Sequence, residues 1–152
     1  MDVETTWDGL PVSSEPPHGA SVVVWRERHG EVEWLILHRA HHGPQYAGDW
    51  AWTPPSGARL PGEDVDECAR RELREETGLQ LELSPTGERE DWAIYVAEAP
   101  LDAVVTLDAE HDRYEWVARH EAAARCLPAI VGATIAVAED YLRRGMRRRL
   151  PR

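Results

Sequence analysis

Lysine, asparagine and phenylalanine are missing from this 152-residue chain, and cysteine and methionine occur only twice each. Cys68 and Cys126 are too few for a disulfide framework and have no metal-ligand spacing, so a reducing, cytoplasmic setting is expected. No apolar run approaches the roughly 20 residues that a membrane-crossing helix needs. The acidic start, Met1-Asp2-Val3-Glu4, has no apolar stretch behind it, which argues against a secretory leader. Positive charge is scarce: 17 basic against 28 acidic side chains leave a net charge of -11. A general nucleic-acid-binding surface needs the opposite balance. The one basic run, Arg143, Arg144, Arg147, Arg148 and Arg149, reads as the last turns of a helix, where cations suit the dipole, followed by a basic tail at 146–152. All basic side chains other than histidine are arginine, and the absent residues have codons rich in A and T. That combination points to a GC-rich genome and carries no chemistry. What is present, 42% hydrophobic and 30% charged residues, suits one soluble globular domain.

Residues 1–19, rich in proline, serine and acids, read as a flexible arm, and 20–145 as a single domain. Apolar, β-branched runs predict strands at 20–28 and 31–38, with His29-Gly30 as the hairpin turn. A loop at 41–49 leads into a short extended piece at 50–53. The spacing then predicts a helix over 64–77, with Asp64 and Glu67 in a capping-box pattern and Gly78 as a left-handed stop. Further strands are expected at 79–83, 91–98, 104–107 and 114–118, and helices at 120–126 and 129–144. The last helix would bury a stripe of Ile130, Ala133, Thr134, Val137, Ala138 and Tyr141. Interspersed strands and helices imply an α/β domain with helices on both sides of a mixed sheet.

The anomaly lies in the 64–77 helix. Val65, Cys68, Ala69 and Leu73 follow the spacing of a buried face, and continuing that template calls for apolar residues at 72 and 76. Glu72 and Glu76 stand there instead. At about 100° per residue they project roughly 40° apart, with Glu75 roughly 60° to the other side of Glu72. A solvated charged face would be the ordinary explanation, but Asp66, Glu67, Arg70 and Arg74 already supply one. Carboxylates at i and i+4 repel unless a cation lies between them, and an oxygen-only set suits Mg²⁺ or Mn²⁺ rather than Zn²⁺. A bound cation would also let so acidic a chain approach an anionic substrate.

The stretch 57–79 holds Gly57, Glu63, Arg71, Glu72, Leu73, Glu75, Glu76, Gly78 and Leu79 in the order G-x5-E-x7-R-E-U-x-E-E-x-G-U, where U is aliphatic. It resembles the Nudix box at every fixed position, a chance match on the order of one in 10⁵ for such a composition. The resemblance implies an α/β/α sandwich that hydrolyses diphosphate linkages in nucleoside diphosphate derivatives: nucleoside triphosphates, dinucleoside polyphosphates or nucleotide sugars. It implies Mg²⁺, with Mn²⁺ as a substitute, held by Glu72, Glu75 and Glu76 with a backbone carbonyl of Ser56 or Gly57. Glu63 would pair with Arg71. The metal would activate water for in-line attack on phosphorus. Glu110 opens a segment with Tyr114 and Trp116 that resembles the E-x-x-x-Y-x-W pattern of diadenosine tetraphosphate and dihydroneopterin triphosphate hydrolases, making it the candidate base or extra ligand. His111 beside it reads as a solvated loop histidine. Where many members have Pro-Gly-Gly or Pro-Lys-Gly before the box, this chain has Pro55-Ser56-Gly57.

For substrate, Tyr46, Trp50 and Trp52 are candidates to stack a base, and Arg39 or Arg59 to touch phosphate, with Arg59 favoured for its place in the box loop. Two other classes compete. An isoprenyl diphosphate isomerase would need a catalytic cysteine in the sheet, and Cys68 sits on the box helix instead. A non-catalytic nucleotide sensor would have no need of a complete box. Members of the family commonly dimerise, and a homodimer in which Trp7 of the arm crosses to its partner is compatible with the sequence.

Overall fold

A computed structural model describes residues 5–6 and 9–149, which leaves Trp7 and residues 150–152 outside the description. Seven strands form one mixed sheet: β1 (Gly19–Arg28), β2 (Glu31–Arg39), β3 (Trp52–Thr53), β4 (Ser56–Ala58), β5 (Ser84–Pro85), β6 (Trp92–Glu98) and β7 (His111–Ala118). The order β3-β2-β1-β6-β5 is extended by β4 on β1 and β7 on β2, and among the described residues only β1 and β6 run parallel. The β1–β2 hairpin closes through His29 and Gly30, both at positive φ (53° and 80°), the geometry whose twist matches the flanking strands.

Period-two alternation divides the core. Val22, Val24, Leu35, Leu37, Tyr95 and Ala97 face one side, where α1 (Val65–Thr77) packs with Val65, Cys68, Ala69 and Leu73. Val23, Trp34, Ile36, Ile94 and Val96 face the other, covered by α2 (Arg119–Arg125) and α3 (Ala129–Arg149) through Ala122, Val131, Ile135 and Ala138. Helices on both faces of a mixed sheet make the α/β/α sandwich that the box implies. Among the described residues no helix is long and apolar enough to cross a membrane.

Three expectations are corrected. Residues 79–83 and 104–107 are not strands: Leu79, Leu81, Leu83 and Val105 pack over the α1 core without pairing, and the Thr106 amide donates to the Thr77 carbonyl at 2.8 Å. The buried stripe of α3 is rotated from the expected one, with Val131, Ile135 and Ala138 inside and Ile130 67% exposed. The segment before β1 is tied down: Ser13 and Pro17 are buried, and the His18 amide donates to the Asp91 carbonyl at 2.7 Å.

Candidate active site

The site begins with the start and stop of α1. Asp64 Oδ1 accepts the amides of Asp66 and Glu67, satisfying two of the helix's free donors, and Gly78 ends it at φ 73° with its amide on the Arg74 carbonyl. Between these ends the three box glutamates differ in burial. Glu76 is 4% exposed, and the Glu72 and Glu75 side chains are 13% and 52% exposed.

Arg71 organises the flank. Its Nε and Nη2 donate to Glu63 Oε2 and Oε1 at 2.7 and 2.9 Å, a bidentate pair that fastens the box loop to the helix. Nη1 reaches Glu72 Oε1 at 2.7 Å and Glu75 Oε2 at 3.2 Å. Nη2 also donates to the Ala58 carbonyl at 3.1 Å. The Arg71 guanidinium holds the Glu63 carboxyl below its ordinary value.

Gly57 explains its own identity. A Cβ built there would lie 2.1–2.3 Å from the Glu72 carboxylate, so the carboxylate packs directly on the backbone of β4. Glu76 is held by the Ser56 amide, which donates to its Oε1 at 2.7 Å. The Ser56 hydroxyl turns away to the Pro54 carbonyl at 3.0 Å, so the serine adds no side chain to the acidic cluster. Burial pushes the Glu72 carboxyl up to about 7 despite the opposing charge of Arg71, with Glu75 and Glu110 adding to the rise. Burial also raises Glu76 well above the ordinary carboxylate range, against the Ser56 hydrogen bond.

The 108–111 turn leading into β7 brings Asp108, Glu110 and His111 to Glu76. One ligand atom from each of these four residues lies within 4.8 Å of the others. His111 is not solvated: it opens β7 with its side chain 2% exposed, Nδ1 2.9 Å from Asp108 Oδ1 and Nε2 3.7 Å from Glu76 Oε2. Burial lowers its pKa, against the Asp108 carboxylate that favours the charged form. Asp108 was not singled out from the sequence. Only its two-residue distance from Glu110 could have marked it.

The donor set fits divalent ions. Glu76, Asp108 and Glu110 cluster with His111, the charges of Glu72 and Glu75 adjoin them, and burial with mutual repulsion raises Glu72 and Glu76; carboxylate oxygens are the ligands that Mg²⁺ and Mn²⁺ prefer.

The residues expected to hold substrate separate into two groups. Arg59 is buried and structural: Nε, Nη1 and Nη2 donate to the carbonyls of Pro17, Glu63 and Glu15 at 2.8, 2.8 and 2.7 Å. Trp52 is 3% exposed, with the Arg113 and Arg125 guanidinium carbons 5.0 and 4.2 Å from its ring and His38 edge-on, so it has no face free for a base. Tyr46 packs on the second core and against His42, its hydroxyl donating to the Asp49 carbonyl at 2.9 Å. Arg39, half-buried at the end of β2, remains near the cluster, and its charge helps depress His111. Its guanidinium lies 5.9 Å from the ring of Trp50, which is 45% exposed and holds a positive φ of 67°. That backbone region is strained for a bulky residue. Both cysteines are buried with thiols pushed up to about 12, which fits neither for nucleophilic work.

The fold and this acidic cluster define a hydrolase of the Nudix type, and comparison with known proteins agrees. The NUDIX domain profile matches residues 15–135, and the chain belongs to that family. The asymmetrical bis(5'-nucleosyl)-tetraphosphatase of Caenorhabditis elegans is 30% identical over 110 residues, covering 64% of this chain and 75% of that one. The crystal structure of a C. elegans Ap4A hydrolase binary complex superposes with a TM-score of 0.66 at 25% identity, covering 82% of this chain and 96% of the other. A Myxococcus xanthus protein named octanoyltransferase is 32% identical over 127 residues, but the match spans 74% of this chain and only 34% of that relative's length. Family, fold and site make this chain a pyrophosphohydrolase.

Proposed function

We propose that the chain hydrolyses a diphosphate linkage in a nucleoside diphosphate derivative with Mg²⁺, Mn²⁺ substituting, and that dinucleoside polyphosphates are its preferred class. The observation that carries the reading is the cluster of Glu76 with Asp108, Glu110 and His111, adjoined by the Glu72 carboxylate packed on the side-chain-free Gly57. Glu72, Glu75, Glu76 and Glu110 would hold the ions, which when bound offset phosphate charge and make an attacking water more acidic. The rest falls to the chain's own groups. Glu72, packed on the backbone of Gly57, or Glu110 would take the proton of that water. Arg71 fixes the orientation of Glu72 through Nη1. Arg39, whose charge reaches His111, would meet a phosphate, and the exposed Trp50 beside it a base. The dinucleotide preference is supported by the named activity of the nematode relative and by the Glu110-Tyr114-Trp116 pattern.

The test is phosphate and nucleotide release across a panel of nucleoside triphosphates, dinucleoside polyphosphates and nucleotide sugars. Wild type should show metal-dependent turnover that Glu76→Gln lowers on the order of 10³-fold. Trp50→Ala should raise KM for the best substrate about tenfold, since stacking one base contributes roughly 1–3 kcal/mol. Turnover confined to nucleotide sugars would refute the dinucleotide preference. Turnover insensitive to Glu76→Gln would refute the site.

A further inference from the structure

His111 lies buried among the acids of the cluster rather than at the surface. An ionised aspartate only accepts hydrogen bonds, so the 2.9 Å contact with Asp108 Oδ1 puts the ring hydrogen on Nδ1. Nε2 then presents its lone pair to Glu76 Oε2 at 3.7 Å, beyond hydrogen-bonding distance. No direct hydrogen bond joins the two atoms, which leaves both facing the same gap. The arrangement is also locked on both sides, because Glu76 Oε1 is held by the Ser56 amide and the imidazole is 2% exposed. Donors on one ion with bonds of about 2.1 Å are separated by roughly 3–4.3 Å, and 3.7 Å falls inside that range. Glu110 and Asp108 complete a set whose ligand atoms all lie within 4.8 Å of one another.

We propose that His111 Nε2, Glu76 Oε2 and the Glu110 carboxylate bind one divalent ion as a mixed nitrogen and oxygen site, which favours Mn²⁺ over Mg²⁺. Asp108 is the positioning residue, orienting the ring as carboxylates behind metal-bound histidines do. Mg²⁺ prefers oxygen alone, whereas imidazole suits transition ions. The inference rests on reading the cluster as a divalent-ion centre, but concerns the identity of one ligand.

Pulsed electron paramagnetic resonance on the full chain loaded with Mn²⁺ tests it. Wild type should show ¹⁴N modulation from a directly bound imidazole, and His111→Gln should lose it. In calorimetric titrations wild type should bind Mn²⁺ at least tenfold more tightly than Mg²⁺, and His111→Gln should narrow that ratio about tenfold. Should the variant fail to fold, the wild-type spectrum still decides, and Asp108→Asn should weaken Mn²⁺ binding while keeping the nitrogen signal. Mn²⁺ bound without nitrogen coupling overturns the histidine ligand and leaves the carboxylate centre standing. No Mn²⁺ or Mg²⁺ bound at all overturns both.

Discussion

Replacing Glu72 by glutamine should stabilise the metal-free protein at alkaline pH while removing its activity. The carboxyl is raised by burial to about 7, against an ordinary value of 4.5. Below pH 4.5 the group is protonated in folded and unfolded chains alike and costs nothing. As pH rises, the unfolded chain ionises first, so it binds fewer protons than the folded one and stability falls. The loss accumulates between about 4.5 and 7 and is constant above. The gap corresponds to about 3 kcal/mol. Glutamine keeps the shape and mimics the protonated form, so with EDTA at pH 8 the variant should melt roughly 6–12 °C above wild type. At pH 5 most of that gain should vanish. Calorimetry at the two pH values, with and without Mg²⁺, reads the effect, and Mg²⁺ should restore wild type more than the variant. A variant that melts at or below wild type at pH 8, or gains equally at both pH values, refutes the claim that this charge is held against its own solvation.

Gly57→Ala should leave the fold intact and cut turnover at least a hundredfold, because the new Cβ must displace the Glu72 carboxylate from 2.1–2.3 Å; a crystal structure of the variant would show the moved side chain. Arg59→Ala should lower stability by about 3 kcal/mol in urea melts, since it strips the carbonyls of Pro17, Glu63 and Glu15 of a charged donor, and a change confined to KM would contradict its structural role. Glu63→Gln should cost about 2 kcal/mol of stability and reduce kcat more than KM, read from steady-state kinetics, by freeing the Arg71 guanidinium that orients Glu72.

Local signals made α1 legible before any coordinates: the Asp64 cap, the Gly78 stop and the acids at 72 and 76 depend on neighbours within one turn. The β1–β2 hairpin was legible for the same reason. Residues 79–83 misled because alternating leucines satisfy a strand pattern equally well when laid across the end of a helix. Trp50 and Trp52, two apart, would share one face of the extended piece expected at 50–53, but Trp50 sits in a turn at φ 67° and only Trp52 begins the strand. The interior took Trp52, leaving Trp50 outside. Arg59 looked available because its acceptors, the carbonyls of Glu15 and Pro17, lie more than 40 residues away. His111 and Asp108 acquire meaning only when β7 aligns with β2 and carries them to Glu76, a long-range pairing that composition does not encode.

The Arg59 guanidinium reinforces a junction that the backbone already makes, where the Ser13 amide donates to the Arg59 carbonyl at 2.7 Å and the Arg59 amide to that of His18 at 2.8 Å. One edge holds the carbonyls of Glu15 and Pro17, and the other holds that of Glu63, whose side chain clasps Arg71. The segment ahead of β1 therefore works as a hasp on the box loop. Nicking it between residues 13 and 18, or pulling it aside with a bulky fusion, would release Glu63 from one side, and the slack would pass through Arg71 to the carboxylate on Gly57. A protease acting on a stretch that carries no chemistry would in this way reach the chemistry.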